Sequence, residues 1–84
     1  SGMPTHSVRL FARGRDLAGA DAVAVELPPG ATVADLRRDL AERYPALAGL
    51  LAVSALAVNH DFAEDARVIH PADELAVIPP VSGG

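Results

Sequence analysis

The sequence contains no cysteine, no lysine and no tryptophan, and only 4% of its residues are aromatic. Without cysteine the chain has no disulfide framework, no thiolate nucleophile and no cysteine-based metal site. All seven basic residues are arginine, so the chain has no lysine base and no lysine to accept an isopeptide bond. His6, His60 and His70 lie far apart in the sequence, and their spacing predicts no metal site.

Long apolar runs are also absent, although half of the 84 residues are hydrophobic. That content suffices for one compact core, and no segment has the length of a membrane span or the pattern of a signal peptide. The net charge is −4, and no basic stripe or aromatic platform favours nucleic acid. We therefore expect a cytoplasmic protein that binds neither membrane nor nucleic acid. We predict an expression-tag remnant (1–2), one domain (3–80) and a flexible tail (81–84).

The first half of the chain predicts two strands and a helix. Polar and apolar residues alternate within 6–12 and 23–27, which is typical of strands with one face on a core, and 13–20 reads as a loop or a single helical turn. Thr32 is a candidate N-cap with Asp35 three residues on. An apolar stripe then continues to Tyr44, where Pro45 ends the helix.

The second half predicts three more strands. They are expected at 56–58, within 62–69 (centred on 67–69) and at 75–78, with 46–53 as a short second helical turn and a reversal at 59–61. Two strands, a helix and three strands favour an α+β fold with a mixed sheet of about five strands and one main helix across one face. The first and last strands, both apolar, are expected to pair in the middle. That architecture is the β-grasp.

The sequence ends in Pro79-Pro80-Val81-Ser82-Gly83-Gly84, directly after the last predicted strand. Proline lacks a backbone N–H and has a fixed φ, so the two prolines end the sheet pairing. Gly83 and Gly84 carry no Cβ and can pass through a narrow channel that other residues could not. We expect the terminal carboxylate to be the reactive group and the rest of the chain to present it.

The chain resembles the small subunit of molybdopterin synthase, a β-grasp sulfur carrier similar to ubiquitin and to the thiamine-pathway sulfur carrier. The matching stretches together span nearly the whole chain beyond the tag remnant: Val8-Arg9-Leu10-Phe11-Ala12, Arg15-Asp16-Leu17-Ala18-Gly19, Thr32-Val33-Ala34-Asp35-Leu36, Val58-Asn59, Asp73-Glu74 and Pro79-Pro80-Val81-Ser82-Gly83-Gly84. Ala72 departs from the family, which often has glycine in this turn.

The resemblance implies that an adenylating enzyme uses ATP to activate Gly84, with Gly83 permitting the approach. Sulfur then replaces the adenylate, and the resulting 1-thioglycine donates sulfur for the dithiolene of molybdopterin. It implies two partners, a ubiquitin-activating-like adenylyltransferase and the large catalytic synthase subunit, and a heterotetramer. The carrier itself would bind no cofactor or metal and would not be catalytic beyond its modified terminus.

The resemblance also implies a partner-binding surface. Its candidate residues outside the glycines are an apolar group, one arginine and the start of the tail: Phe11, Phe62, Ile78, Arg15, Pro79, Pro80, Val81 and Ser82. Phe11 and Ile78 could instead lie in the core, and Arg15 could be merely solvated. The acidic residues Asp61, Glu64 and Asp65 are interpreted as a solvated loop, whereas Asp73 and Glu74 either shape a turn or meet a partner.

Three alternatives remain open from the sequence. The chain could carry sulfur for another pathway, such as thiamine, cysteine or tRNA thiolation. It could be a ubiquitin-like modifier that forms isopeptide bonds through Gly84. It could also be a plain interaction module with an incidental tail, in which case deleting Gly83-Gly84 would leave its function intact.

Overall fold

The computed structural model describes residues 3–80, so Ser1, Gly2 and the predicted tail 81–84 lie outside the described residues. In this part of the chain the strands are β1 (Thr5–Leu10), β2 (Ala22–Glu26), β3 (Ala55–Val58), β4 (Asp61–Phe62) and β5 (Leu75–Ile78). The helices are α1 (Arg13–Ala18), α2 (Val33–Arg43) and α3 (Ala48–Val53), with a 3-10 turn at Pro45–Leu47. No helix among these residues is both long and apolar enough to cross a membrane.

The five strands form one mixed sheet in the order β2-β1-β5-β3-β4. β1 and β5 are parallel neighbours at its centre, with Leu10 opposite Val77, and the other neighbouring pairs are antiparallel. The predicted pairing of the first and last strands in the middle is therefore confirmed. With α2 packed across one face of the sheet, the β-grasp prediction is confirmed as well.

Strand periodicity builds the core on one face of this sheet. In β1 every second residue is buried, with Val8 and Leu10 at most 2% exposed, and β5 buries Leu75 and Val77 in the same way. The core formed with the helices also contains Val25, Leu27, Ala31, Val33, Leu36, Leu40, Leu47, Leu51, Leu56, Val58 and Ile69. Because successive side chains of a strand project to opposite faces of the sheet, the residues between these buried ones lie on the opposite face, away from the core.

A reciprocal cap fixes the start of α2. The Thr32 side chain accepts a hydrogen bond from the Asp35 backbone N–H, and the Asp35 carboxylate accepts one from the Thr32 backbone N–H at 2.9 Å. This capping box satisfies two donors that a helix start otherwise leaves unpaired, which confirms the predicted N-cap. At the other end the Tyr44 hydroxyl donates to the Ala24 carbonyl at 2.7 Å and ties the helix to β2.

The prediction of a fourth strand around residues 67–69 is wrong. Asn59 and His60 have φ values of 54° and 72°, and these left-handed residues reverse the chain at once, so that Asp61 pairs with Val58. β4 is therefore Asp61–Phe62. Farther along, Val68 forms only an isolated bridge with Thr32. The apolar signal there comes from core burial, since Ile69 is only 4% exposed.

The two segments predicted as loops or short turns contain helices. Residues 13–20 include α1, and 46–53 include most of the 3-10 turn and all of α3. Leu47 and Leu51 are 1% exposed and fill the core. The Arg37 guanidinium on α2 donates to the carbonyls of Leu51 and Ser54, the latter at 2.8 Å. These bonds give the carbonyls at the end of α3 a side-chain donor, and the Leu51 carbonyl also accepts a long hydrogen bond from the Ser54 backbone N–H at 3.4 Å.

Candidate functional site

The candidate site is the face of the sheet that the helices leave open. Strand register places Arg9 of β1 opposite Ala76 of β5, Ala76 opposite Ala57 of β3, and Ala57 opposite Phe62 of β4. Paired residues on neighbouring strands project to the same face, so these four side chains form one row across the sheet. The row has small side chains in the middle and large ones at its ends.

This side-chain pattern produces a groove of about 300 Å³. We call it the open-face groove and define it by its lining residues, Arg9, Phe11, Ala57, His60, Phe62, Glu74, Leu75, Ala76 and Ile78. Phe11 is 42% exposed and Phe62 is 75% exposed. Large apolar side chains that remain exposed around a concave surface mark a place where another molecule binds.

Three predicted partner-binding residues meet in this groove. Phe11, Phe62 and Ile78 all line it, so neither Phe11 nor Ile78 is a core residue. Ile78 is the last residue of β5, and Pro79 and Pro80 follow it immediately. The chain therefore passes from one end of the groove into the proline pair. Val81, Ser82, Gly83 and Gly84 lie outside the described residues.

A tight turn positions Phe11 at the edge of the groove. The Gly14 backbone N–H donates to the Phe11 carbonyl at 3.0 Å, and between them Ala12 has φ 49° and ψ −118°. Those angles match the first central residue of a type II′ turn, a position that favours glycine. The Arg9 guanidinium lies 5.8 Å from the centre of the Phe11 ring, which permits a cation–π interaction.

On the opposite side, the groove is bounded by the β3–β4 turn and the start of β5. His60 Nε2 lies 3.0 Å from a carboxylate oxygen of Glu74, with both side chains exposed. Asp73 accepts hydrogen bonds from the His70 backbone N–H at 2.8 Å and from the Asn59 side chain at 2.9 Å. The His70 N–H first, and then the Asn59 amide, hold the pKa of the Asp73 carboxyl below its ordinary value. Asp73 thus shapes its turn, which was one of its two expected roles.

The structure does not bring Arg15 into the groove. Arg15 lies on α1 with its side chain 57% exposed, and its guanidinium is 3.7 Å from the Asp21 carboxylate. Of the predicted acidic loop, Asp65 pairs with Arg37 at 3.6 Å. Among the described residues 3–80, no three His, Asp or Glu side chains are grouped to hold a metal ion.

Sequence reasoning missed the floor and the supports of the groove. Ala57 and Ala76 carry no functional group, so only the strand register shows that they lie side by side. Arg9 was within reach of prediction, because it alternates with the buried residues of β1 and shares a face with Phe11. The sequence predicts a turn at Asn59, but nothing in its local sequence indicates its contact with Asp73.

Comparison with known proteins places this geometry in context. The molybdopterin synthase sulfur carrier subunit of Arabidopsis thaliana is 36% identical over 92% of this chain and 80% of its own length. The protein of the same name from Dictyostelium discoideum is 40% identical over 92% of this chain and 93% of its own length.

A solved structure shows the same similarity in three dimensions. The crystal structure of SAMP1 from Haloferax volcanii superposes with a TM-score of 0.81 at 31% identity, over 95% of this chain and 99% of that one. The model of the ThiS family matches residues 8–84, a segment that includes the groove strands and both terminal glycines. The chain therefore belongs to the ThiS family.

Proposed function

We propose that this protein is the sulfur-carrier subunit of a molybdopterin synthase. The observation that carries the proposal is the course of β5: it lines the open-face groove and ends at Ile78, directly before Pro79 and Pro80, and the sequence then ends in Gly83-Gly84. The family match extends to Gly84, and the relatives described above are named sulfur carrier subunits of molybdopterin synthase. A recognition surface beside a short reactive terminus fits such a carrier.

The proposed chemistry takes place at the Gly84 carboxylate. A carboxylate is a poor electrophile, so one of its oxygens first attacks the α-phosphate of ATP, and pyrophosphate leaves. Sulfide (HS⁻) from a sulfur donor then attacks the acyl carbon, the C–O bond to AMP breaks so that AMP leaves, and a thiocarboxylate remains as 1-thioglycine. The thiocarboxylate sulfur is a soft nucleophile that bonds to a carbon of the precursor pterin and displaces an oxygen leaving group there. Water then cleaves the acyl–sulfur bond, so that the sulfur stays on the pterin as part of the dithiolene and Gly84 regains its carboxylate. The carrier itself needs no bound cofactor for these steps, because its partners supply ATP and the pterin.

Two partners are proposed to dock on the open-face groove in turn. One is an adenylyltransferase resembling ubiquitin-activating enzymes, and the other is the large catalytic subunit, in a heterotetramer with one carrier at each end. An apolar groove with exposed aromatic walls fits this role, because aromatic anchors dominate the binding energy of protein interfaces. Both partners must hold the tail in a narrow channel, and Gly83 suits such a channel because it lacks a Cβ.

A protein modifier is the second candidate function. The observation that favours it is the 31% identity to SAMP1, the small archaeal modifier protein 1 of Haloferax volcanii. In that case the activated Gly84 carbonyl would be attacked by a lysine amine of another protein, with AMP leaving. Because this sequence has no lysine, the chain could not extend itself through lysine-linked copies.

Intact-mass spectrometry tests the carrier function directly. The chain is incubated with ATP, its adenylyltransferase and a sulfur donor, and we expect a mass increase equal to the difference between sulfur and oxygen. The thiocarboxylated chain, mixed with the large subunit and the precursor pterin, should yield molybdopterin. A variant that lacks Gly83 and Gly84 is the control and should show neither result.

The outcomes separate the two candidate functions. No mass increase, with an adenylyltransferase shown to activate another carrier, would contradict the carrier function. Covalent adducts with other proteins that require Gly84, without molybdopterin formation, would favour the modifier. Full activity of the variant without the glycines would exclude both.

A further inference from the structure

Phe62, the most exposed of the large apolar side chains, lies on the least supported strand of the sheet. Within residues 3–80, β4 has only two residues, forms an edge of the sheet and pairs only with β3. Two-stranded pairings are only marginally stable by themselves. The position of the Phe62 ring therefore depends on what holds the β3–β4 turn against the rest of the domain.

Asn59 ties that turn to the start of β5. Its side-chain amide donates to Asp73 Oδ1 at 2.9 Å, and its side-chain oxygen accepts from the Glu74 backbone N–H at 2.9 Å. Its backbone N–H also donates to the Glu74 carbonyl at 2.8 Å. One side chain thus joins the β3–β4 turn to two consecutive residues, Asp73 and Glu74, which lie 14 and 15 residues away in sequence.

The partners of Asn59 determine how its amide is oriented. The Glu74 backbone N–H can only donate, so the atom that faces it must be the Asn59 oxygen. The Asn59 nitrogen then faces the Asp73 carboxylate. The other oxygen of that carboxylate accepts from the His70 N–H, which fixes Asp73 in turn. A hydrogen bond to a charged carboxylate is stronger than one between neutral groups.

The backbone at this position restricts the choice of residue. Asn59 has φ 54°, in the left-handed region that asparagine, aspartate and glycine tolerate best. Glycine would keep the turn but would lose both side-chain hydrogen bonds. The neighbouring pair of His60 and Glu74 has side chains 79% and 63% exposed, and such a pair contributes little.

We propose that Asn59, held by Asp73, is a positioning residue for partner docking, because it fixes the Phe62 wall of the open-face groove. This inference rests on the proposed function, since it assumes that partners bind this groove. Asn59 itself does not line the groove and acts through Phe62.

Three variants isolate the side-chain contacts. Asn59→Gly keeps the left-handed turn and removes the side chain. Asn59→Asp places two carboxylates at the distance of the present hydrogen bond, so the contact becomes repulsive at neutral pH. Combining Asn59→Asp with Asp73→Asn restores the hydrogen bond between these two positions with donor and acceptor exchanged, because the amide nitrogen at position 73 can donate to the carboxylate at position 59. The backbone N–H groups of His70 and Glu74 each keep an oxygen acceptor.

The first measurement needs no partner. The Ala63 backbone N–H donates to the Leu56 carbonyl at 2.9 Å, just beyond Phe62, and its hydrogen exchange by NMR reports opening of this edge. We expect exchange about fivefold faster in Asn59→Gly and Asn59→Asp, with a normal rate in the reciprocal double variant. Exchange of the Leu10 amide in the central strand is the internal control and should not change.

The second measurement uses the adenylyltransferase as the probe. We expect its Kd to rise about fivefold for Asn59→Gly and to return to normal in the reciprocal double variant. In a Phe62→Ser background, Asn59→Gly should cause no further loss, because the side chain that it positions is gone. A purely structural role would instead give the same loss in both backgrounds.

These results keep the inference separate from the proposed function. Unchanged Ala63 exchange and unchanged Kd in Asn59→Gly would overturn the positioning role even if Gly84 accepts sulfur normally. Equal losses with and without Phe62, or failure of the reciprocal variant to restore exchange, would also overturn it. If the intact chain accepts no sulfur, the carrier function fails, and the exchange measurement still decides whether Asn59 holds β4.

Discussion

Ala12 has a backbone conformation that an alanine adopts only at a cost. Its φ of 49° and ψ of −118° lie in a region that glycine occupies freely, because the Cβ of other residues clashes there. The turn is held by the hydrogen bond from Gly14 to Phe11, and Leu10 and Gly14 on either side of it are buried. The hydrogen bond and the packing of Leu10 and Gly14 therefore offset the strain at Ala12, and the turn places Phe11 at the edge of the groove.

Replacing Ala12 with glycine should stabilise the protein. We expect the free energy of unfolding to rise by about 1 kcal/mol, because the lost strain exceeds the extra entropy of glycine in the unfolded chain. Urea denaturation measures this change. The control is Ala72→Gly, at an exposed alanine without a positive φ, which should be neutral or slightly destabilising. A loss of stability in Ala12→Gly would show that the turn is not strained.

At the scale of single elements, sequence prediction succeeded where a local signal exists. The helix start was predictable because Thr32 and Asp35 have the spacing of a capping box, and β1 because its apolar residues alternate. β4 was missed because two residues are too few to form a pattern, and because the apolar stretch near Ile69 imitates a strand. The left-handed turn at Asn59 and His60 places the fourth strand at residues 61–62 and not near Ile69. The geometry of that turn follows from long-range contacts.

The capping box makes the stability of α2 depend on pH. The Thr32 backbone N–H, and next its hydroxyl, hold the pKa of Asp35 below the ordinary 3.8. When folding lowers the pKa of a carboxyl, the ionised carboxylate contributes to the free energy of unfolding. This contribution is fully present at pH values above the ordinary pKa, and it disappears as the pH falls through the pKa of the folded state. Asp35→Asn should therefore be less stable than the parent chain at neutral pH, with the difference shrinking below about pH 4.

Urea denaturation of both chains across this pH range measures the effect. Glu64→Gln, at an exposed loop position, is the matched control, and we expect it to show no comparable convergence with the parent chain. A difference between Asp35→Asn and the parent chain that stays constant into acid would mean that the capping contribution does not depend on the charge of Asp35.

At the scale of the whole molecule, the hydrophobic core and the open-face groove lie on opposite faces of one sheet. The residues facing the helices make the core, and Arg9, Ala57, Phe62 and Ala76 face the other way. The sequence identified three apolar residues that line the groove, Phe11, Phe62 and Ile78. It could not show the groove itself, because its floor joins alanines from strands that are separated by about twenty residues and become neighbours only in the folded sheet.

This division predicts that folding and docking can be disrupted separately. Phe62 is 75% exposed, so Phe62→Ser should change the free energy of unfolding by less than about 0.5 kcal/mol. The same variant should weaken adenylyltransferase binding at least tenfold, roughly the loss expected for an aromatic anchor. Leu36 is 1% exposed, and Leu36→Ala should cost about 2–5 kcal/mol of stability.

Thermal unfolding and a binding titration on the same samples test this division. At temperatures where the Leu36→Ala chain is still folded, it should bind with nearly normal affinity, because its groove is intact. If Phe62→Ser lowered Tm as much as Leu36→Ala, the ring would belong to the core. If it left binding unchanged, partners would not dock on the open face, and recognition would have to rest on the tail and the residues beside it.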